Sequence, residues 1–238
     1  MAMGKACVAI KDLPLALYYN PANISADKMS ISLDYQNFFG IRNLNQVNLV
    51  LNVPFHPSPF ACGISSYGNN LYREFQLITA GAYQLAPEFS IGVSIQYYHC
   101  SIKGYGSQAT WGINLGAAYQ LTHHVFIGSQ ITNLNQPTIS HDLEKLPQTF
   151  SLGMTYKAAE VLLLNIEFFR DTRFEQEYRF GLEYRLAPYF NIRTGIIDQV
   201  NNFSAGCALS LDVIAFEYAL VTHQVLGVSH VTSLLITL

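Results

Sequence analysis

The sequence predicts an all-β fold, a 14-stranded antiparallel transmembrane β-barrel with a short N-terminal hatch or plug, and three observations carry that prediction. Apolar and polar residues alternate through nearly the whole chain, which is the two-residue period of β-strands. A hairpin turn recurs four times, as Tyr83-Gln-Leu-Ala-Pro87, Tyr119-Gln-Leu-Thr-His123, Tyr156-Lys-Ala-Ala-Glu160 and Tyr184-Arg-Leu-Ala-Pro188. Such repetition marks one supersecondary unit used again and again. Charged residues make up only 12% of the 238 residues while 50% are hydrophobic, against roughly 25% charged in soluble domains.

The same composition excludes several classes. The net charge of −3 comes without any Lys/Arg cluster, so the electrostatic footprint of a nucleic-acid binder is missing. No apolar run is long enough for a transmembrane helix. A charge-poor chain in lipid must then close into a barrel, since a bilayer cannot satisfy an open sheet edge. The first residues, Met1-Ala-Met-Gly-Lys5, show no signal-peptide pattern, and the expectation is that an export signal precedes the given chain. Cys7, Cys62, Cys100 and Cys207 lack metal or redox spacing and read as small hydrophobes.

Taken in order, residues 1–28 stand apart as the hatch and end in the Asn20-Pro21-Ala22 turn. Residues 29–238 form the barrel. Strands are expected near 29–37, 45–54, 60–68, 72–84, 88–101, 109–120, 124–132, 148–156, 161–169, 175–186, 189–197, 203–211, 214–222 and 230–238. Fourteen is even, as single-chain bacterial outer-membrane barrels require.

Alternation is clearest in Phe174 to Arg185. There Phe174, Tyr178, Phe180, Leu182 and Tyr184 share one face, and Glu175, Glu177, Arg179, Glu183 and Arg185 share the other. Trp111, Ile113 and Leu115 likewise oppose Gly112, Asn114 and Gly116. The non-greasy face is mostly Gly, Ser, Ala, Thr, Asn and Gln, which suits a crowded lumen better than a solvated surface. The apolar face would then meet outer-membrane lipid, with Tyr83, Tyr119, Tyr156 and Tyr184 in an interfacial aromatic girdle. Connections after even-numbered strands are short, apart from Pro54 to Pro59, whereas Phe38 to Leu44, Ile102 to Gln108, Asn133 to Pro147 and Gln224 to Ser229 read as longer loops. That asymmetry places the short turns on the periplasmic rim.

Candidate functional groups lie on the lumen face: Asp34, Glu74, Glu167, Glu177, Arg179, Glu183, Arg185, Arg193 and Glu217. They either line a polar constriction or hold the hatch, or they pair across neighbouring strands and fill space. Small lumen residues (Ser94, Gly112, Gly116, Gly153, Gly206) suggest room for a ligand. His123-His124 lacks further spaced ligands for a metal, and His99, His141, His223 and His230 are isolated. No nucleophile elbow or converging triad is legible. The reading is therefore non-enzymatic, with no cofactor and no metal.

Residues 2 to 24, which run through Val8-Ala9, Lys11-Asp12 and Ala16-Leu-Tyr-Tyr-Asn-Pro-Ala22, resemble the amino-terminal signature of the FadL-like outer-membrane barrels, and are most similar to the PorV/PorQ group. The carboxy-terminal stretch Leu226-Gly-Val-Ser-His230 to Leu238 is similar to that group's last strand. Lys5 and Leu238 depart from the pattern. The resemblance implies a hatch entering the lumen from the periplasmic side of a bacterial outer-membrane protein. It also implies one of two roles: passage of small hydrophobic molecules through a kinked barrel wall, or docking of secreted proteins with type IX secretion-system subunits.

Overall fold

A computed structural model of the chain describes residues 1–139, 145–198 and 202–238. Its strands are β1 (Ser30–Asn37), β2 (Asn45–Val53), β3 (Phe60–Gly68), β4 (Tyr72–Ala86), β5 (Phe89–Ile102), β6 (Gly106–Gln120), β7 (Val125–Thr132), β8 (Thr149–Ala159), β9 (Leu162–Asp171), β10 (Glu177–Ala187), β11 (Phe190–Ile197), β12 (Asn202–Leu211), β13 (Ile214–His223) and β14 (Gly227–Thr237). Each pairs antiparallel with its sequence neighbours, and β1 closes on β14 from Ser30 opposite Thr237 to Asn37 opposite His230. The object is a closed 14-stranded antiparallel barrel, as the repeated hairpins predict.

Burial is inverted relative to a water-soluble barrel. Along β1, Ser30, Ser32, Asp34 and Gln36 are buried while Leu33 and Tyr35 are exposed. Elsewhere Ser94, Asn114, Ser151, Asn165, Glu167 and Ser204 are buried, and Ile95, Trp111, Leu152, Ile166, Phe180 and Phe203 are exposed. The pleat enforces this: alternate side chains face opposite sides, so each strand's apolar set must point outward if its polar set points in. Tyr83, Tyr119, Tyr156 and Tyr184 all lie on the outer face. Each sits near the end of β4, β6, β8 or β10, beside the short turns.

Two loops are shorter than expected. Strand β6 begins at Gly106 and β14 at Gly227, which leaves the turns Lys103–Tyr105 and Gln224–Leu226. Gly104, Gly106 and Gly227 take positive φ of 85°, 97° and 98°, a conformation glycine adopts without cost, so these hairpins close tightly. The loop asymmetry between the two rims is correspondingly weaker. The ladders of β3 with β2 and β4 run without a register break. Strand–strand pairing is instead interrupted beside β6, which joins β7 only over Leu115 to Gln120. Above that, Leu134 N–H donates to Ile113 O (2.8 Å) and Asn135 bonds Ile113 N (3.0 Å) and Trp111 O (2.8 Å), so irregular chain replaces a strand. The rest of that connection, including His141, lies outside the described residues.

Residues 1–28 carry only a helical turn, α1 (Ala16–Tyr19), and a 3-10 turn, Pro21–Asn23. Consecutive turns, such as Ala6 N–H to Met3 O (3.0 Å) and Asn20 N–H to Ala16 O (2.7 Å), fold this segment on itself. It supplies nearly half of the apolar core: Ala2, Met3, Ala6, Cys7, Val8, Ala9, Ala16, Leu17, Ala22 and Ile24 are all buried. Leu17 and Ile24 pack with Val50, Ala61, Ile78, Ala80 and Ala82 from the inner faces of β2 to β4. The barrel wall thus faces a peptide rather than an empty lumen over much of its interior.

Candidate functional site: the lumen and its amino-terminal segment

The segment is seated on glycines. Gly92 and Gly116 lie opposite each other on β5 and β6, Gly128 and Gly153 on β7 and β8, and Gly181 and Gly195 on β10 and β11. A Cβ at Gly92 would stand 2.3 Å from Ala22 N, one at Gly116 2.1 Å from Asn20 Oδ1, and one at Gly128 2.1 Å from Val8 O. At Gly181 it would meet Met3 at 2.8 Å, at Gly195 Gly4 N at 2.1 Å, and at Gly206 Ala2 Cβ at 2.7 Å. Each pair removes two side chains from adjacent strands and leaves a trough into which foreign backbone can descend. The small lumen residues expected to leave room for a ligand are therefore filled, at Gly116, Gly153 and Gly206, by the segment itself. Gly112 is filled by Asn133 Oδ1, 2.4 Å from its would-be Cβ.

Polar side chains of the wall then fasten the segment. Glu167 Oε2 accepts the N–H groups of Cys7 (2.9 Å) and Val8 (3.0 Å), while its Oε1 accepts Arg179 Nη1 (3.1 Å). Ser204 Oγ accepts Gly4 N–H and donates to Ala2 O, each at 2.9 Å. Asn52 donates to Pro14 O (2.8 Å), Ser90 to Ala22 O (2.9 Å) and Gln130 to Tyr18 O (3.3 Å). These bonds satisfy backbone groups that an irregular peptide would otherwise bury unpaired.

Asn20-Pro21-Ala22 joins the two halves of the segment to the wall. Fully buried Asn20 donates through Nδ2 to Val8 O (2.8 Å) and to Ala117 O of β6 (3.0 Å), and its Oδ1 accepts Ala22 N–H (3.0 Å). All of its amide capacity except one lone pair is used, and only Asn at this position offers both donors and the capping acceptor. Pro21 follows at the first position of the 3-10 turn, where its missing N–H costs nothing.

The predicted lumen charges do not form one constriction. Arg179 bridges Glu167 across the β9–β10 ladder and Glu177 on its own strand (2.9 Å), with its guanidinium 3.6 Å over the Phe169 ring. Arg193 bridges Glu183 (2.5 Å) and Glu217 (2.6 Å), the latter two strands away. Asp34 is buried with no ion-pair partner among the described residues, its Oδ2 accepting Ser32 Oγ (2.9 Å). Glu74 stands apart at the long-loop rim, bonded by Tyr72 Oη, and Arg185 is exposed at the opposite end. Most of these charges pair with one another, and Glu167 also bonds the backbone of the segment. Sequence reasoning missed the glycine seat, although Gly-x-x-Tyr recurs at Gly116, Gly153 and Gly181, three residues before a girdle tyrosine. It also missed Asn52, Gln130 and Ser204, whose partners are distant in sequence.

The segment leaves a cavity of about 850 Å³ that runs from the β14–β1–β2 side round to Glu183, Arg193 and Glu217 of β10, β11 and β13. One wall is polar, with Ser30, Ser32, Asp34 and Gln36; the facing wall is Leu13, Leu15 and Tyr18 of the segment. Gln46 and Gln76 also line a second cavity of about 280 Å³ at the long-loop rim. No group of metal-ligating side chains occurs among the described residues.

No family model matches the chain, and no curated protein matches it. Solved structures do. The CymD monoaromatic hydrocarbon channel superposes with a TM-score of 0.77 at 14% identity, covering 99% of this chain and 95% of that one. The Ralstonia pickettii toluene transporter TbuX gives 0.72 at 14% identity, with 99% and 95% covered. A Pseudomonas aeruginosa FadL homologue gives 0.65 at 13% identity, with 99% and 97% covered. The chain thus shares, over its whole length, the closed-barrel fold of the FadL homologue and of the monoaromatic hydrocarbon channels.

Proposed function

We propose that this chain is a non-enzymatic channel of the bacterial outer membrane that passes small hydrophobic molecules, with residues 29–238 as its transmembrane barrel and residues 1–28 as its hatch. The observation that carries the reading is a closed barrel, greasy outside, whose interior is occupied by its own amino-terminal segment on a fitted glycine seat. A continuous apolar outer face of this size is a liability in water and a requirement in lipid. The likeness to hydrocarbon and toluene channels supports the substrate class. The short-turn rim, with Tyr83, Tyr119, Tyr156 and Tyr184, is then the periplasmic interface.

The cavity beside the hatch suits a molecule that presents apolar surface to Leu13, Leu15 and Tyr18 and any polar end to the Ser30–Gln36 wall. Passage needs the hatch to shift or the molecule to follow this wall. Asn20, Pro21, Ala22 and Glu167 set how firmly the hatch is held. The docking role in type IX secretion finds no support among the similar solved structures, which are hydrocarbon channels, a toluene transporter and a FadL homologue.

The test is entry of toluene into cells whose lipopolysaccharide outer membrane lacks a comparable channel. Expressing the full chain should speed entry, and deleting residues 1–23 should raise bilayer conductance of the purified barrel. Entry equal to that of cells without the chain, or conductance unchanged by the deletion, refutes the reading. Co-purification with secretion-system subunits, with no effect on toluene entry, would establish the docking role in its place.

A further inference from the structure

The cavity at the long-loop rim differs in chemistry from a hydrocarbon site. It is lined by Phe38, Gln46, Ser65, Tyr67, Glu74 and Gln76. Phe38 and Tyr67 meet edge to face, with centroids 5.4 Å apart and planes at 90°, and Tyr67 meets Tyr72 at 6.4 Å and 80°. Phe38 and Tyr67 present two ring orientations to the same space, beside the Glu74 carboxylate, with Tyr72 packed behind Tyr67. Glu74 is held by the hydroxyl of Tyr72; among the described residues it has no basic ion-pair partner, and none of the six lining residues is basic.

The charge pattern further in is mixed, with Lys5, Lys11 and Lys28 on the larger cavity as well as carboxylates. Gln46 and Gln76 continue into the larger cavity, where the next carboxylate is Asp34, also without an ion-pair partner among the described residues. Arg179 and Arg193 are each bridged by two glutamates elsewhere, and the lysines of the larger cavity are not among the six residues that line the mouth. An ammonium against aromatic faces gains from the ring quadrupole, and a carboxylate adjacent to the same space adds a full charge.

We propose that this mouth is a binding site for organic cations, namely a compact ammonium group bearing an apolar body. The ammonium sits between Phe38, Tyr67 and Glu74, and the apolar part extends past Gln46 and Gln76 toward the hatch. The inference deepens the channel reading and rests on it only in treating the mouth as the entrance; the site itself stands on the ring and carboxylate geometry.

The experiment is calorimetric titration of the full chain in nanodiscs, with empty nanodiscs subtracted, using benzyltrimethylammonium and its neutral isostere neopentylbenzene. The ammonium should saturate one site and bind on the order of tenfold tighter than the isostere. Glu74→Gln should remove that preference, Tyr67→Leu should weaken the ammonium selectively, and Glu160→Gln at the opposite rim should change nothing. Should Glu74→Gln fail to fold, judged by heat-modifiable electrophoretic mobility, Tyr67→Leu carries the same comparison. Equal binding of the two probes, or an ammonium affinity unmoved by both mouth variants, overturns the proposal. Loss of the cation preference with toluene entry intact condemns the site alone, whereas a cation site without toluene entry condemns the hydrocarbon channel.

Discussion

Replacing Glu167 with alanine tests whether the amino-terminal segment is a fastened plug. The wild-type carboxylate, 3% exposed, accepts two N–H groups from Cys7 and Val8 and pairs with Arg179. Hydrogen bonds to a charged group are worth about 1.5–3 kcal/mol each, and removing one member of a buried pair costs roughly 3–5 kcal/mol. Arg179 keeps Glu177 at 2.9 Å and the Phe169 ring at 3.6 Å, so its charge is not orphaned and the loss falls near the low end, about 3 kcal/mol. That is a shift of about a hundredfold toward the released segment.

Cys7 reports the release. Its thiol is buried in the segment, and burial pushes its pKa up to about 11, so at pH 8 it is protonated and shielded from maleimides. In a background with Cys62, Cys100 and Cys207 replaced by serine, the Glu167→Ala barrel should label at Cys7 about a hundred times faster than its parent. Because the pKa is raised, labelling of the closed state should also stay slow as pH climbs through the range where a free thiol ionises. Equal labelling rates in the two proteins, with both barrels folded, would refute the fastening role of Glu167.

Two further outcomes follow from the same geometry. Gly195→Ala and Gly128→Ala drive a methyl against segment backbone at 2.1 Å and should each destabilise the segment's seating by about 1–3 kcal/mol; Gly81→Ala, whose nearest neighbour would be Pro59 O at 4.0 Å, should be neutral by the Cys7 labelling assay. Ile95→Lys on the exposed outer face should cost roughly 2–4 kcal/mol in equilibrium unfolding from liposomes; a neutral or stabilising effect would mean that water, not lipid, covers that face.

Much of the architecture is legible in the chain because the pleat ties burial to a period of two. Val50, Asn52, Ser94, Gly116 and Glu167 fall on the inner face by parity alone, and a slip of one residue would turn them all to the outer face. The strand count and the outward tyrosines follow from the same rule. Strand ends were harder, since Gly106 and Gly227 extend β6 and β14 through tight turns that read as loop composition.

What parity cannot supply is which inner-face groups meet. Arg193 reaches Glu217 across β12, and Ser204 meets Gly4 about two hundred residues away in sequence. These contacts exist because closure of the barrel and the folding of residues 1–28 bring remote chain together in three dimensions. Small residues on the inner face were written in the sequence, but whether they framed an open passage or a seat depended on the segment's path. By itself the sequence determined the repeating hairpin and the sidedness of each strand, because those are local and periodic properties. Only the tertiary structure decided that glycine pairs cradle that segment, that Glu167 grips it, and that Phe38, Tyr67 and Glu74 share one mouth, because such convergence depends on register around a closed ring.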